Sequence, residues 1–176
     1  TANNVSVSGL RLAHVGASYT RDRAAIRIVN AVNCRISDNR IDDAFFGIYL
    51  AKVTDCRLER NRLTASGRTE ATSGNGIHLW NSRGITIAEN TISKFRDGIY
   101  FEFVHNTEVL RNISEDNLRY GLHFMYSDDC DYAGNTFRRN GSGVAVMYTK
   151  RVRMISNHFE RNRGTAAYGH LLKEIY

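Results

Sequence analysis

The sequence predicts an all-β fold, a parallel β-helix of about 22 residues per coil with three short strands in each coil. Three observations predict it. Segments beginning AIRI at Ala25, GIYL at Gly47, GIHL at Gly76, GIYF at Gly98, GLHF at Gly121 and GVAV at Gly143 recur in steps of 22, 29, 22, 23 and 22 residues. Fourteen positions after each start stands an asparagine: Asn39, Asn61, Asn90, Asn112, Asn135 and Asn157. Within each unit the apolar residues alternate with the period of a strand, and none of the segments carries the period of a helix.

The first strand of a coil places apolar residues one and three positions after its start, in the pairs Ile26/Ile28, Ile48/Leu50, Ile77/Leu79, Ile99/Phe101, Leu122/Phe124 and Val144/Val146. The second strand has its inward pairs at offsets nine and eleven: Cys34/Ile36, Cys56/Leu58, Ile85/Ile87, Thr107/Val109, Cys130/Tyr132 and Val152/Met154. The third follows the asparagine, with Ile41, Leu63, Ile92, Phe137 and Phe159 inward. Asparagine suits the corner between them because it tolerates left-handed backbone and because its amides can hydrogen-bond up a column spaced about 4.8 Å apart. The absence of proline agrees, since each coil needs its amides for its neighbours.

The departures from the period are also informative. The long step from Gly47 holds seven extra residues in a polar stretch, so residues 64–75 read as a loop ejected from one corner. Near ISEDNLRY the coil from Gly98 slips by one residue, which places Ser114 at an apolar offset. Val5, Val7 and Leu12 look like the end of an earlier coil, and the last residues stop before a further one closes. Residues 1–176 therefore read as a single β-helix domain, the central fragment of a longer solenoid.

Composition excludes several classes. No apolar run approaches the roughly 20 residues of a membrane helix, and the first residues have no signal-peptide pattern. The net charge of +6 comes from arginines scattered over turns and outward positions, including Arg35, Arg40, Arg57, Arg60, Arg62, Arg138, Arg139 and Arg153. Unfocused charge with no aromatic and basic recognition module argues against nucleic acid as a partner. Three cysteines without C-x-x-C spacing exclude a zinc ribbon and a simple disulfide scaffold. Cys130 and Met154 fall in inward columns and are expected in the core; Cys34 and Cys56 share a column, where a bond across stacked parallel strands is awkward.

The outward positions of the first strand form two unusual columns. Offset two reads Arg27, Tyr49, His78, Tyr100, His123 and Ala145; offset four reads Val29, Ala51, Trp80, Glu102, Met125 and Met147. Imidazole and thioether suit Cu(I), which makes His123, Met125 and Met147 the candidate metal ligands on an open face. Tyr49, His78, Trp80, Tyr100 and Glu102 are candidates for a ligand or partner surface. Aromatic rings can equally stack on sugars, with Asp97, Glu102, Asp128 or Asp129 as acid and base, so a polysaccharide lyase, hydrolase or epimerase is the alternative. Adjacent Asp128 and Asp129 diverge on a strand, however, and offset seven holds Arg83, His105 and Lys150 in place of a second carboxylate.

Residues 96–162 resemble the NosD family of periplasmic nitrous oxide reductase maturation proteins, most specifically in LRYGLHFMYSDD and GVAVMYTKRV. The resemblance implies a right-handed β-helix in the periplasm that is not itself an enzyme. It further implies an ABC-type ATPase and a membrane permease as partners, with a copper chaperone and nitrous oxide reductase, whose copper-sulfide centre the machine helps to assemble. Copper, as Cu(I), enters as transient cargo. The family-like runs contain His123, Met125 and Met147, which softness and stacking select as its ligands.

Overall fold

A computed structural model describes residues 3–16, 23–67, 69–164 and 167–176. Its strands form three parallel sheets, each of seven strands among the described residues. Sheet 1 begins with Ser6–Ser8 and ends with Val152–Ile155, sheet 2 runs from Arg11–Val15 to His158–Glu160, and sheet 3 runs from Ala24–Val32 to His170–Ile175. Each strand pairs with its counterparts one coil away, so the pairing Ile99↔Leu122↔Val144 reproduces the sequence repeat as register.

The inward columns meet in one core. Ile48, Leu50, Ile77, Leu79, Ile99, Phe101, Leu122, Phe124, Val144 and Val146 are buried, as are Ile36, Leu58, Ile87, Val109, Ile41, Leu63, Ile92 and Phe137. Val7 and Leu12 are half-buried against the same core. Cys130 is fully buried, and burial pushes its thiol up to about 12, which makes it unreactive. Met154 departs from expectation and is 42% exposed. It lies on the last strand of sheet 1 among the described residues.

The asparagine column is continuous. Each Nδ2 donates to the next Oδ1 at 2.9–3.0 Å from Asn39 through Asn61, Asn90, Asn112 and Asn135 to Asn157. Each Oδ1 along it also accepts the backbone N–H of the preceding ladder residue, as Asn112 does from Asn90 at 2.9 Å. The side chains therefore point inward and satisfy corner amides that neither flanking strand reaches. Left-handed backbone occurs one residue earlier than expected. Asp38, Arg60, Glu89, Arg111, Gly134 and Ser156 take positive φ, while the ladder residues do not. The turn is thus made by the residue before the asparagine, which frees the amide to bond along the stack.

A second ladder joins sheets 2 and 3 through Asn117, Asn140 and Asn162, with Nδ2 to Oδ1 distances of 2.9 and 3.3 Å. Phe95 begins this column, and its N–H donates to Asn117 Oδ1 at 3.1 Å. Beyond it a column of glycines opens sheet 3, where backbones approach closely. A Cβ at Gly121 would lie 2.7 Å from Gly143 O and 2.8 Å from the Phe137 ring.

Two expectations about the irregular places change. Ser114 keeps strict register between Ile92 and Phe137 in the inward column of sheet 2. Its hydroxyl is buried and donates to Gly121 O at 2.8 Å. The extra residue lies later, between Asn117, aligned with Phe95, and Tyr120, aligned with Asp97. It is accommodated in the turn that carries Arg119. In the long step, Ala65 still bonds to Ser93, and Gly74 already accepts from Arg96 N, so the protruding residues lie between them and include a 3-10 turn, Glu70–Thr72.

Cys34 and Cys56 form a disulfide, with Cα atoms 4.5 Å apart, correcting the expectation against a bond between stacked strands. Inward side chains on neighbouring rungs converge enough at this corner to reach the usual Cα range for a disulfide. The bond closes a 22-residue loop, for which the chain-entropy relation gives ~3 kcal/mol. Replacing both cysteines by serine should lower the urea unfolding free energy by about that amount; an unchanged midpoint would show that the bond adds nothing to stability.

The charged surface follows the same rungs. Arg60 meets Asp38, Arg139 meets Asp116 and Glu115, and Arg153 meets Asp131, each one coil apart. Solvent screens these exposed pairs, so they distribute the basic residues along the stack and add little to stability.

Candidate functional site

Sheet 3 brings the predicted outward columns into contact. Arg27, Tyr49, His78, Tyr100, His123 and Ala145 are successive strand partners, and so are Val29, Ala51, Trp80, Glu102, Met125 and Met147. Met125 and Met147 face one another across one rung, and His123 stands two residues from Met125 on the same side of its strand. Both methionines are half-buried.

The face is not open, however. Tyr49 is 8% exposed and His123 only 4%. Neighbouring aromatic side chains form a continuous stack: Tyr49 to His78 at 4.8 Å, His78 to Tyr100 at 4.8 Å and Tyr100 to His123 at 5.0 Å between ring centroids. Tyr120, three residues earlier on the same strand, also contacts the His123 ring, at 4.8 Å between centroids. Large side chains on successive rungs of one column shield each other, so an outward direction does not mean exposure. Burial first, and the positive charge of Arg96 second, push the His78 imidazole down to about 4 and keep it neutral at physiological pH. Trp80 is half-buried, with the Lys52 ammonium 5.5 Å from its ring centroid.

Beneath the stack lies a group of side chains that the repeat did not single out as a cluster. Asp97, fully buried at the start of its strand, accepts from Arg119 Nε at 2.9 Å and Nη2 at 2.5 Å. The N–H of Tyr120 also donates to Asp97 Oδ1, at 3.3 Å. Burial acts to raise the carboxyl, but the hydrogen bonds from Arg119 and His123 outweigh it and hold Asp97 down at about 2. His123 Nδ1 lies 3.5 Å from Asp97 Oδ2 and 3.5 Å from Arg119 Nη2. Its Nε2 is buried with no hydrogen-bond partner. The sequence signal for this cluster was the one-residue-longer coil, because the inserted turn delivers Arg119 over Asp97.

Among the described residues, no three His, Cys, Asp or Glu side chains are grouped to hold a metal ion. What the sheet does bring together is Met125 and Met147 in register, two residues along the same face from His123, whose buried Nε2 has no hydrogen-bond partner. The carboxylates weighed for acid and base chemistry are engaged one by one, Asp97 by Arg119 as above. Asp129 is engaged by Arg151 at 2.5 and 2.9 Å, and Asp128 Oδ1 accepts the backbone N–H of Lys150 at 2.8 Å.

Residues 63–175 match the family described as periplasmic copper-binding protein (NosD). Over 100 residues the chain is 30% identical to a probable ABC transporter binding protein NosD of Stutzerimonas stutzeri, and equally to its counterpart in Pseudomonas aeruginosa. Each match covers 56% of this chain and 23% of the relative, so the chain spans only a part of their length. Solved structures share the fold: PfbA, a surface adhesin of Streptococcus pneumoniae, has a TM-score of 0.72 at 16% identity, covering 94% of this chain and 46% of that one. The DFA-IIIase of Arthrobacter chlorophenolicus A6 has a TM-score of 0.66 at 17% identity, with 76% of this chain and 35% of that one covered. The periplasmic alginate epimerase AlgG gives 0.60 at 14%, covering 87% of this chain and 45% of that one. At these identities the likeness is one of fold, which an adhesin and sugar-active enzymes share without sharing a task.

Proposed function

The chain belongs to the NosD family of periplasmic copper-binding proteins, and from that premise we propose that it is a periplasmic assembly protein which carries Cu(I) as cargo. In this reading His123, Met125 and Met147 receive the ion on sheet 3. An ABC-type ATPase and a membrane permease act with the protein, a copper chaperone supplies the ion, and nitrous oxide reductase takes it up for its copper-sulfide centre. The relatives' description as ABC transporter binding proteins supports the transporter partnership. The Cys34–Cys56 disulfide suits an oxidising compartment.

The observation that carries the reading is the register of Met125 with Met147 beside the unpartnered Nε2 of His123. Soft, neutral donors bind Cu(I) without needing a charged ligand, and a site made of few such donors can pass the ion on. His78, Trp80, Tyr100 and Glu102, half-buried on the same face and backed by the buried ring of Tyr49, would be the surface against which a partner docks. Anaerobic competition titration with a Cu(I) chelator tests the proposal. The variant carrying His123→Ala, Met125→Ala and Met147→Ala should lose at least about a hundredfold in affinity, by analogy with the loss of several ligands each worth 1–3 kcal/mol. A folded triple variant that bound Cu(I) as the parent does would sink it.

A further inference from the structure

Resting on the copper reading above, we propose that Asp97 is a positioning residue that fixes the tautomer and orientation of His123, leaving Nε2 as a bare lone pair for a soft metal ion. His123 Nδ1 has two neighbours of opposite kind at 3.5 Å, the acceptor Asp97 Oδ2 and the donor Arg119 Nη2. The ring has two neutral tautomers, and burial decides between them. If Nε2 carried the proton, its N–H would be a buried donor with no acceptor, which native structures avoid more strongly than an unused acceptor. If Nδ1 carries it, the proton is donated to Asp97, and the orphaned atom is a lone pair.

The surroundings hold this arrangement rigid. Arg119 grips both oxygens of Asp97 through Nε and Nη2, so the carboxylate cannot turn away from the imidazole. Tyr100 and Tyr120 contact the ring from two sides, with centroids 5.0 and 4.8 Å away. Arg96 Nε stands 4.0 Å from Asp97 Oδ2 and adds a second positive charge beside the carboxylate. The order is Arg119, Asp97, His123 and then the metal: each group orients the next, as carboxylates do behind metal-binding histidines. Met125 and Met147 complete the outer face, two residues along the strand and one rung beyond.

Two measurements test the assignment. Nitrogen-15 chemical shifts of the His123 ring in the metal-free protein should show the proton on Nδ1; a proton on Nε2 would overturn the proposal without any variant being needed. Asp97→Asn, whose amide can donate to Nδ1, should move the proton to Nε2 and weaken Cu(I) binding by about 10- to 100-fold. If His123→Ala loses affinity while Asp97→Asn keeps both the parent tautomer and the parent affinity, the positioning role is wrong and the copper reading stands. If His123→Ala and the triple variant both keep the parent affinity, the copper reading itself has failed. Should Asp97→Asn not fold, the tautomer in the parent protein decides alone.

Discussion

Asn112→Ala is expected to lower the free energy of unfolding by about 3–5 kcal/mol, because one truncation strands several buried groups at once. Asn112 Oδ1 accepts from both the backbone N–H and the Nδ2 of Asn90, and its own Nδ2 donates to Ile87 O at 2.8 Å and Asn135 Oδ1 at 3.0 Å. Methyl replaces none of these, and the site is 1% exposed, so water does not reach the orphans. Asn157 lies at the half-buried end of the ladder, where water can replace lost bonds, and its truncation should cost only about half as much. Urea unfolding of the two variants checks both values. A loss below about 1 kcal/mol at position 112 would mean that the ladder decorates the corner without holding it.

Arg119→Ala should cost a similar amount at neutral pH, about 3–5 kcal/mol, the usual result of removing one partner from a buried ion pair. Asp97 would lose both close hydrogen bonds of Arg119 and keep only Arg96, at 4.0 Å, as a cationic partner in its buried position. The sign of the pH dependence follows from Asp97 being held down at about 2 in the folded protein, below its ordinary 3.8. The stability contributed by the pair is complete above about pH 4 and is lost as pH falls toward 2. Without Arg119, burial dominates and raises the carboxyl, so the gap between parent and variant should be widest near pH 7 and narrow in acid. Unfolding measured at pH 7 and pH 3 reads this directly, and a gap of equal size at both would refute the buried-carboxylate account.

Both variants bear on what the repeat could and could not reveal. The ladder around Asn112 was legible because the asparagines share one offset in six successive coils. The second ladder is equally periodic, Asn117, Asn140 and Asn162 each standing nineteen residues after a coil start, but its first member is Phe95, so asparagine recurs there in only three coils. Arg119 and Asp97 are a different case. They lie 22 residues apart, at positions that strict register would align, yet the extra residue aligns Asp97 with Tyr120 and leaves the Arg119 side chain to reach back over the turn.

The sequence by itself determined the period, the three-stranded coil, the inward columns and the pairing of Met125 with Met147. It could do so because each coil of a solenoid contacts its neighbours, so spatial adjacency is sequence adjacency at one fixed step. Only the tertiary structure decided what depends on side-chain reach and covering. It closed Cys34 to Cys56, exposed Met154, buried His123 under Tyr100 and Tyr120, and set its ring against Asp97. A period tells which face of a strand a residue takes; how deep the residue lies there depends on the sizes and rotamers of its neighbours, which no period encodes.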